Sequence, residues 1–355
     1  MRLQLSLLMA LAPTAALSNP EIDARASVFV DTDKTTISTD TIAVRAQPIE
    51  NVGVKARYLV DAVSSASVDV VSAATERFKE LRHEAEGAVG YDDGSLRASA
   101  TYVFSVEPDW RSHTVSGAVS HDFLAHNLTV GVSGSYQTNT VWRAHDDNFE
   151  RSLEQIGVGA SAVLTPSPLD LVRVAYGLAS LSGYQASPYR FARFMDPLAS
   201  GQLLTTAERH PDRRVRHNVT VNWNRHVFTD SAIRSHARLY LDDWGIASVT
   251  GGTEYVVGFG GLQLGLSARA YAQTRARFYE DIYPQRRRFM TADRELSPFF
   301  DLFGGARLSW RGPVAGLDEL RADVRVTGFS FVFSDFARLP SRAGLIAELG
   351  LGVDF

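Results

Sequence analysis

Residues 262–279 read LQLGLSARAYAQTRARFY, and alternate positions separate into two unlike faces. Leu262, Leu264, Leu266, Ala268, Ala270, Ala272, Thr274, Ala276 and Phe278 form an oily set; Arg269, Arg275 and Arg277 fall in the other, with Gln263, Ser267, Tyr271 and Gln273. Side chains of a β-strand alternate between its two faces, so a period of two argues for a strand half in an apolar and half in a polar setting. Ordinary strands run five or six residues. A strand this long needs a thick apolar environment on one side only.

The pattern recurs along the chain. Val215, His217, Val219, Val221 and Trp223 alternate with Arg214, Arg216, Asn218, Thr220, Asn222 and Asn224. Ile233, Ala237, Leu239 and Leu241 alternate with Arg234, His236, Arg238, Tyr240 and Asp242. Residues 320–326, 96–104 and 52–58 behave alike. Helical periodicity is almost absent after residue 24, and no window offers about 18 consecutive apolar residues, so a helical membrane span is excluded.

The first 18 residues, MRLQLSLLMALAPTAALS, start with Arg2, continue apolar, and end in small residues with a cleavage site at Ala16-Leu17-Ser18. They read as a secretory signal peptide, leaving residues 19–355 as a single domain. The chain has no cysteine, which removes disulfides, zinc thiolates and cysteine nucleophiles. A net charge of -4 without a basic tail gives no reason to expect a nucleic-acid partner.

Two classes of connection separate the strands. Short turns occur at 47–50, 92–94, 165–168, 229–231, 258–261 and 311–318. Longer, more polar loops occur near 64–76, 141–148, 184–208 and 281–295. Short turns at one end and long loops at the other are the layout of an outer-membrane barrel. The expectation is an all-β, transmembrane, antiparallel up-and-down barrel of about sixteen strands, with both termini periplasmic. Fourteen is the alternative, because strands near 24–31 and 35–47 carry the weakest patterns. The final stretch places Ala343, Leu345, Ala347, Leu349, Leu351, Val353 and Phe355 on one face. A closing strand ending in Phe355 looks like the signal read by the barrel assembly machinery of a Gram-negative cell. Partners expected are that machinery, outer-membrane lipid and a small solute.

Motifs for cofactors and metals fail on inspection. Gly258-Phe259-Gly260-Gly261 precedes a strand rather than a helix, so it is not a dinucleotide loop. Asp31-Thr32-Asp33-Lys34 lacks the glycine and distal glutamate of a calcium loop. His83-Glu84 lacks the second histidine of a zinc protease. No cofactor, metal or catalytic residue is assigned. A membrane hydrolase would need a nucleophile beside a histidine; His217 and His236 fall on opposite faces.

Arginine supplies 33 of the 36 basic residues, lysine occurring only at Lys34, Lys55 and Lys79. Face assignment puts Arg214, Arg216, Arg234, Arg238, Arg269, Arg275 and Arg277 on the lumen of four neighbouring strands. Such a set can select ions or orient an anionic solute; since acids such as Asp242, Glu254 and Asp301 share the lumen, it can equally build ladders that fill the barrel. Tyr102, Phe104, Tyr136, Tyr255, Phe259, Phe278, Trp310 and Phe355 suit interfacial girdles on the oily face.

Several fragments carry a family resemblance: residues 64–70, Arg82-His83-Glu84, residues 105–113 (SVEPDWRSH), residues 183–190 (GYQASPYR), Arg209-His210-Pro211, and residues 240–244 (YLDDW). They resemble a family of bacterial outer-membrane barrels classified only as a domain of unknown function. The resemblance implies an outer-membrane location and supplies no activity. With periplasmic termini, these fragments fall near the extracellular mouth. Candidate binding residues there are Asp69, Arg82, Glu107, Asp109, Arg111, His113, Tyr184, Tyr189, Arg190, Arg209, His210, Asp242, Asp243 and Trp244. Bracing of the mouth by packing is the competing role. The functional expectation is a channel or transport component for small polar or anionic solutes. A non-conducting scaffold or receptor barrel is the alternative, and an outer-membrane hydrolase a third.

Overall fold

A computed structural model describes residues 20–65, 78–197 and 201–355; the proposed signal peptide and Asp69 lie outside them. The strands are β1 (Glu21–Asp31), β2 (Thr35–Ile49), β3 (Val52–Ser65), β4 (Phe78–Asp92), β5 (Leu96–Glu107), β6 (Trp110–Phe123), β7 (Leu128–Trp142), β8 (Glu150–Ser167), β9 (Asp170–Gly183), β10 (Phe191–Asp196), β11 (Gln202–Ala207), β12 (Arg213–Phe228), β13 (Ser231–Asp242), β14 (Ala247–Phe259), β15 (Leu262–Gln273), β16 (Phe299–Val314), β17 (Leu317–Phe333) and β18 (Ser341–Asp354). All but β10 and β11 close into one antiparallel barrel of sixteen strands, β12 pairing with β9 and β1 with β18. The two weakly patterned N-terminal strands are part of the wall: Glu21 to Asp31 pair continuously with Asp354 to Gly344. The count is therefore sixteen, not fourteen. β10 and β11 form a separate hairpin inside the loop between β9 and β12.

Closure satisfies every strand edge without water, which hydrocarbon demands. The outward side chains are those the alternation assigned. Leu266 is 53% exposed, Leu239 59% and Leu351 50%. Apolar exposure on this scale around a whole molecule is unsuited to water and natural against lipid. On β8 the outward apolar run goes from Leu164 to Ile156 before Glu154 interrupts it. That is about nine residues, roughly 28 Å of strand, and near 20 Å of height after a tilt of about 40°. Tyr102 and Tyr136 mark one border of this belt, and Tyr255, Phe259, Trp310 and Phe355 stand near the other.

The turns at the short-turn end are chemically specified. Gly94 has φ +90, and the Asp93 carboxylate accepts the N–H groups of Ser95 and Leu96 at 3.0 and 2.7 Å. A left-handed position of this kind favours glycine because it has no Cβ to clash.

One strand differs from its sequence reading. β15 stops at Gln273, although alternation continues to Phe278. Gln273 is the last residue with partners on both sides, Ser248 and Phe299. Beyond it, Ala276 N–H bonds to Leu296, in a single 3-10 turn, and Arg277 N–H to Trp244, in a loop. A strand continues only while a neighbour offers backbone groups to pair, which alternation cannot reveal. Arg275 and Arg277 are consequently loop residues rather than lumen wall. Phe278 is no girdle residue either: its ring packs on Trp244 at 5.0 Å.

Candidate functional site: the lumen and its mouth

Cross-strand pairing brings the remaining predicted arginines onto one sector of the inner wall. Arg214 bonds Asp242 at 2.5 Å and lies 4.2 Å from the Trp244 ring. Arg216 follows two residues on along β12, facing the same way. Arg234 meets Glu254 at 3.4 Å, and Arg269 meets Asp301 at 2.8 Å. Among the described residues, Arg238 has no carboxylate within ion-pair distance, and its buried Nε has no acceptor. Arg173 on β9, opposite Asn222, and Arg307 on β16 extend this basic sector. Elsewhere the charges close into ladders. Lys55 and Arg57 share Glu86, and Arg57 also reaches Glu84 at 2.6 Å. Arg97 holds Asp122 at 2.8 Å, and Arg321 gathers Glu21 and Asp354. The inner face of β6 carries small hydroxyls, Ser112, Ser116 and Ser120. The lumen thus has a basic sector and a neutral polar one.

The mouth candidates divide into three groups. Arg82 pairs with Asp61 at 2.5 Å on the inner wall. Glu107 and Asp109 approach Glu80, their carboxylate oxygens within 4.8 Å of one another; each engages other groups as well. Arg111 and His113 do not line the mouth. They share the parity of Val115, which is 57% exposed on the outer face. The Arg111 guanidinium stands 5.2 Å from the Trp142 ring, and His113 Nδ1 pairs with the Tyr102 hydroxyl at 2.8 Å. The same Tyr–His pairing recurs outside at Tyr58–His83 and Tyr176–His217, both 2.7 Å. Fragment matching located these residues along the strand but not by face.

The third group packs among the loops of the mouth, with Arg190, Arg209, His210 and Trp244 against the loop 274–298. Tyr184 packs edge-on to Phe149, and the Tyr189 hydroxyl accepts the Ala144 N–H at 2.8 Å. Arg190 pairs with Asp293. Arg209 exchanges two backbone hydrogen bonds with Met290, and its guanidinium lies 6.0 Å from Phe289. His210 packs against Trp244 and Phe278, with Nε2 3.5 Å from Glu208. Asp243 accepts the Val215 N–H at 3.0 Å, and Trp244 donates to the Arg213 carbonyl at 2.8 Å. Arg275 reaches Glu280 and Asp335, while Arg277 lies against Gly245.

The centre of this cap was not legible in the sequence. Glu208, whose side chain is fully buried, accepts from Thr291 Oγ1 at 3.1 Å and Ala292 N–H at 2.7 Å. Arg294, 1% exposed, donates to Asp33 of the β1–β2 turn at 2.5 Å. β16 and β1 are three strand spacings apart, about 14 Å, so this pair braces the rim across the barrel seam. Tyr279 donates to the Asp335 carbonyl at 2.5 Å, and Tyr283 to Phe278 and Thr291. Burial pushes the Tyr283 hydroxyl up to about 12 and raises that of Tyr279. Burial would also raise the Asp293 carboxyl, yet the adjacent Arg190 guanidinium outweighs it and holds the group below its ordinary value. The only advance signal was density: Arg, Tyr and Phe crowd residues 275–289 far beyond what a solvated loop needs.

A family model described as "Protein of unknown function (DUF3570)" matches residues 143–326. The chain belongs to this family. The matched span begins in the β7–β8 loop and ends within β17, so it includes the basic sector and the cap segments between β9 and β16, but not Asp33 or Asp335. No curated protein matches the sequence of this family member. Solved structures resemble it. A bacterial polysaccharide outer membrane secretin is 11% identical with a TM-score of 0.54, over 96% of this chain and 100% of that one. OpdK of Pseudomonas aeruginosa, solved with vanillate, is 9% identical with a TM-score of 0.48, over 96% and 100%. The siderophore receptor PirA of Acinetobacter baumannii is 9% identical with a TM-score of 0.47, over 90% of this chain and 53% of that one. At 11% identity the likeness to the secretin is one of architecture.

Proposed function

We propose that this DUF3570 protein is an outer-membrane channel for small polar or anionic solutes, its short turns toward the periplasm and its cap outside. One observation carries the reading. On β9 and β12 to β16, inward arginines (Arg173, Arg214, Arg216, Arg234, Arg238, Arg269, Arg307) outnumber inward carboxylates (Asp242, Glu254, Asp301). A low-dielectric wall with excess positive charge concentrates anions and repels cations. The C-terminal strand is proposed to dock the barrel assembly machinery, and no catalysis is assigned: His217 is engaged by Tyr176 on the outer face.

Purified protein in a planar bilayer under a potassium chloride gradient tests this. The expected current reverses near the chloride potential, and Arg216→Glu with Arg238→Glu moves reversal toward potassium. The braced mouth favours a second reading, a non-conducting scaffold. A wild-type bilayer that passes no current selects the scaffold.

A further inference from the structure

The arginines of the cap are of two kinds, distinguished by what holds them. Arg190, Arg193 and Arg294 pair with Asp293, Asp281 and Asp33. Those pairs brace the mouth and neutralise it. Arg209, Arg286 and Arg288 are exposed, and among the described residues none of them has a carboxylate within ion-pair distance. Two of these cations lie against one ring instead. The Arg209 guanidinium is 6.0 Å and that of Arg288 5.0 Å from the centre of Phe289. They are therefore no farther apart than those two distances laid end to end. Arg287, between Arg286 and Arg288, is exposed as well, 5.7 Å from the Tyr283 ring and 4.0 Å from Glu280. Glu280 is also engaged by Arg275 at 3.5 Å, so this patch carries a large excess of positive charge.

The turn that carries Arg286 to Arg288 is fixed at both ends. Tyr283 and Met290 are 0% and 2% exposed. Met290 exchanges backbone hydrogen bonds with Arg209 at 3.0 and 2.9 Å, and its sulfur accepts the Arg287 N–H at 3.2 Å. The Phe289 ring packs on Phe278 at 6.5 Å, which joins it to Trp244. An arginine held by a ring is positioned without being neutralised. The ring face attracts the guanidinium but brings no negative charge, and the N–H donors stay open to an acceptor. Those donors match the paired oxygens of a carboxylate or a phosphate. An acid group arriving here meets donors that are already ordered, so less side-chain freedom is lost on binding. One such group leaves most of the charge unmatched; several on one molecule match it. Like charges this close also repel, and a multiply charged anion relieves that repulsion.

We propose that the turn 286–289 and Arg209 form a capture site at the mouth for small, multiply charged anions bearing carboxylate or phosphate groups. The site deepens the channel reading and rests on it only for where the captured solute goes next.

Calorimetric titration of the full-length protein in detergent with tripolyphosphate, citrate and acetate tests the site apart from conduction. Tripolyphosphate or citrate should bind, and acetate about a hundred-fold more weakly. The tighter of the first two shows whether phosphate or carboxylate is preferred. Arg209→Gln and Arg288→Gln should each weaken that binding about ten-fold, which places it at the mouth rather than in the lumen. Phe289→Leu keeps every charge and removes the ring, and should weaken it about five-fold. If Phe289→Leu does not fold, the two exposed arginines decide alone. No binding of either multivalent probe, acetate binding as tightly as they do, or unchanged affinity in the arginine variants overturns the capture site. Unchanged affinity in a folded Phe289→Leu overturns it too, since net charge alone would then suffice. Binding without any bilayer current would leave the capture site standing and defeat the channel; chloride current without binding would do the reverse.

Discussion

Gly344 shows how much one missing side chain does in this wall. It sits on β18 between Phe329 and Asp31, and a Cβ there would collide with the Val30 carbonyl oxygen and the Phe329 ring. Gly328, on the adjacent strand, would place its Cβ 3.7 Å from Leu345, an ordinary contact. Overpacking of a fixed site costs about 1–3 kcal/mol. Gly344→Ala should therefore lower barrel stability by roughly that amount, and Gly328→Ala by much less, in urea unfolding from lipid vesicles. Equal midpoints for the two variants would refute the argument. No sequence pattern announced this difference, because both glycines sit in alternating strands and only the neighbouring carbonyl and ring distinguish them.

The loop 274–298 behaves as an element although it holds almost no regular structure. Its buried tyrosines tie it to the β17–β18 loop and to its own far half. The pH dependence follows from Tyr283. Burial raises its hydroxyl from 10 to about 12, so the neutral form is favoured in the docked cap. That stabilisation is complete below pH 10 and is lost as pH rises through about 12. Limited proteolysis at graded pH should show the cap resistant to pH 10 and cleaved increasingly between 10 and 12; Tyr283→Phe should reduce the alkaline step, and Tyr283→Phe with Tyr279→Phe should reduce it further, since burial raises both hydroxyls. Cleavage that is independent of pH in wild type would count against it.

At the scale of the molecule, the Arg294–Asp33 pair joins groups 261 residues apart and locks a loop to the strand that closes the barrel. Both side chains are nearly inaccessible, at 1% and 3%. Removing one partner of a buried pair strands the other charge, a loss of about 3–5 kcal/mol, whereas removing both costs less. Arg294→Ala should loosen the mouth, seen as larger and noisier single-channel current, and Arg294→Ala with Asp33→Ala should recover part of the wild-type behaviour. Identical currents in the single and double variants would show that the brace is not coupled in this way.

The outward and inward assignment of the strands was legible in the sequence, because lipid on one side and water on the other impose a period of two; the count was narrowed only to sixteen or fourteen, because the patterns of the first two strands are weak. The same alternation places Arg214, Arg216, Arg234, Arg238 and Arg269 on the lumen. Alternation could not place Arg275, Arg277 or Phe278, since a strand ends where its neighbours end, and that is a property of pairing. The family fragments misplaced Arg111 and His113, because nearness to a loop in sequence says nothing about which face a residue occupies, whereas their shared parity with Val115 does. Glu208, Arg294 and Asp33 were invisible for a further reason: their partners lie in other loops, and desolvation of a distant ion pair leaves no local trace. The sequence by itself determined a wall of long strands between two solvents; only the tertiary structure settled sixteen strands over fourteen, how the mouth is braced and where rings and cations face one another, because those depend on cross-strand register and loop packing.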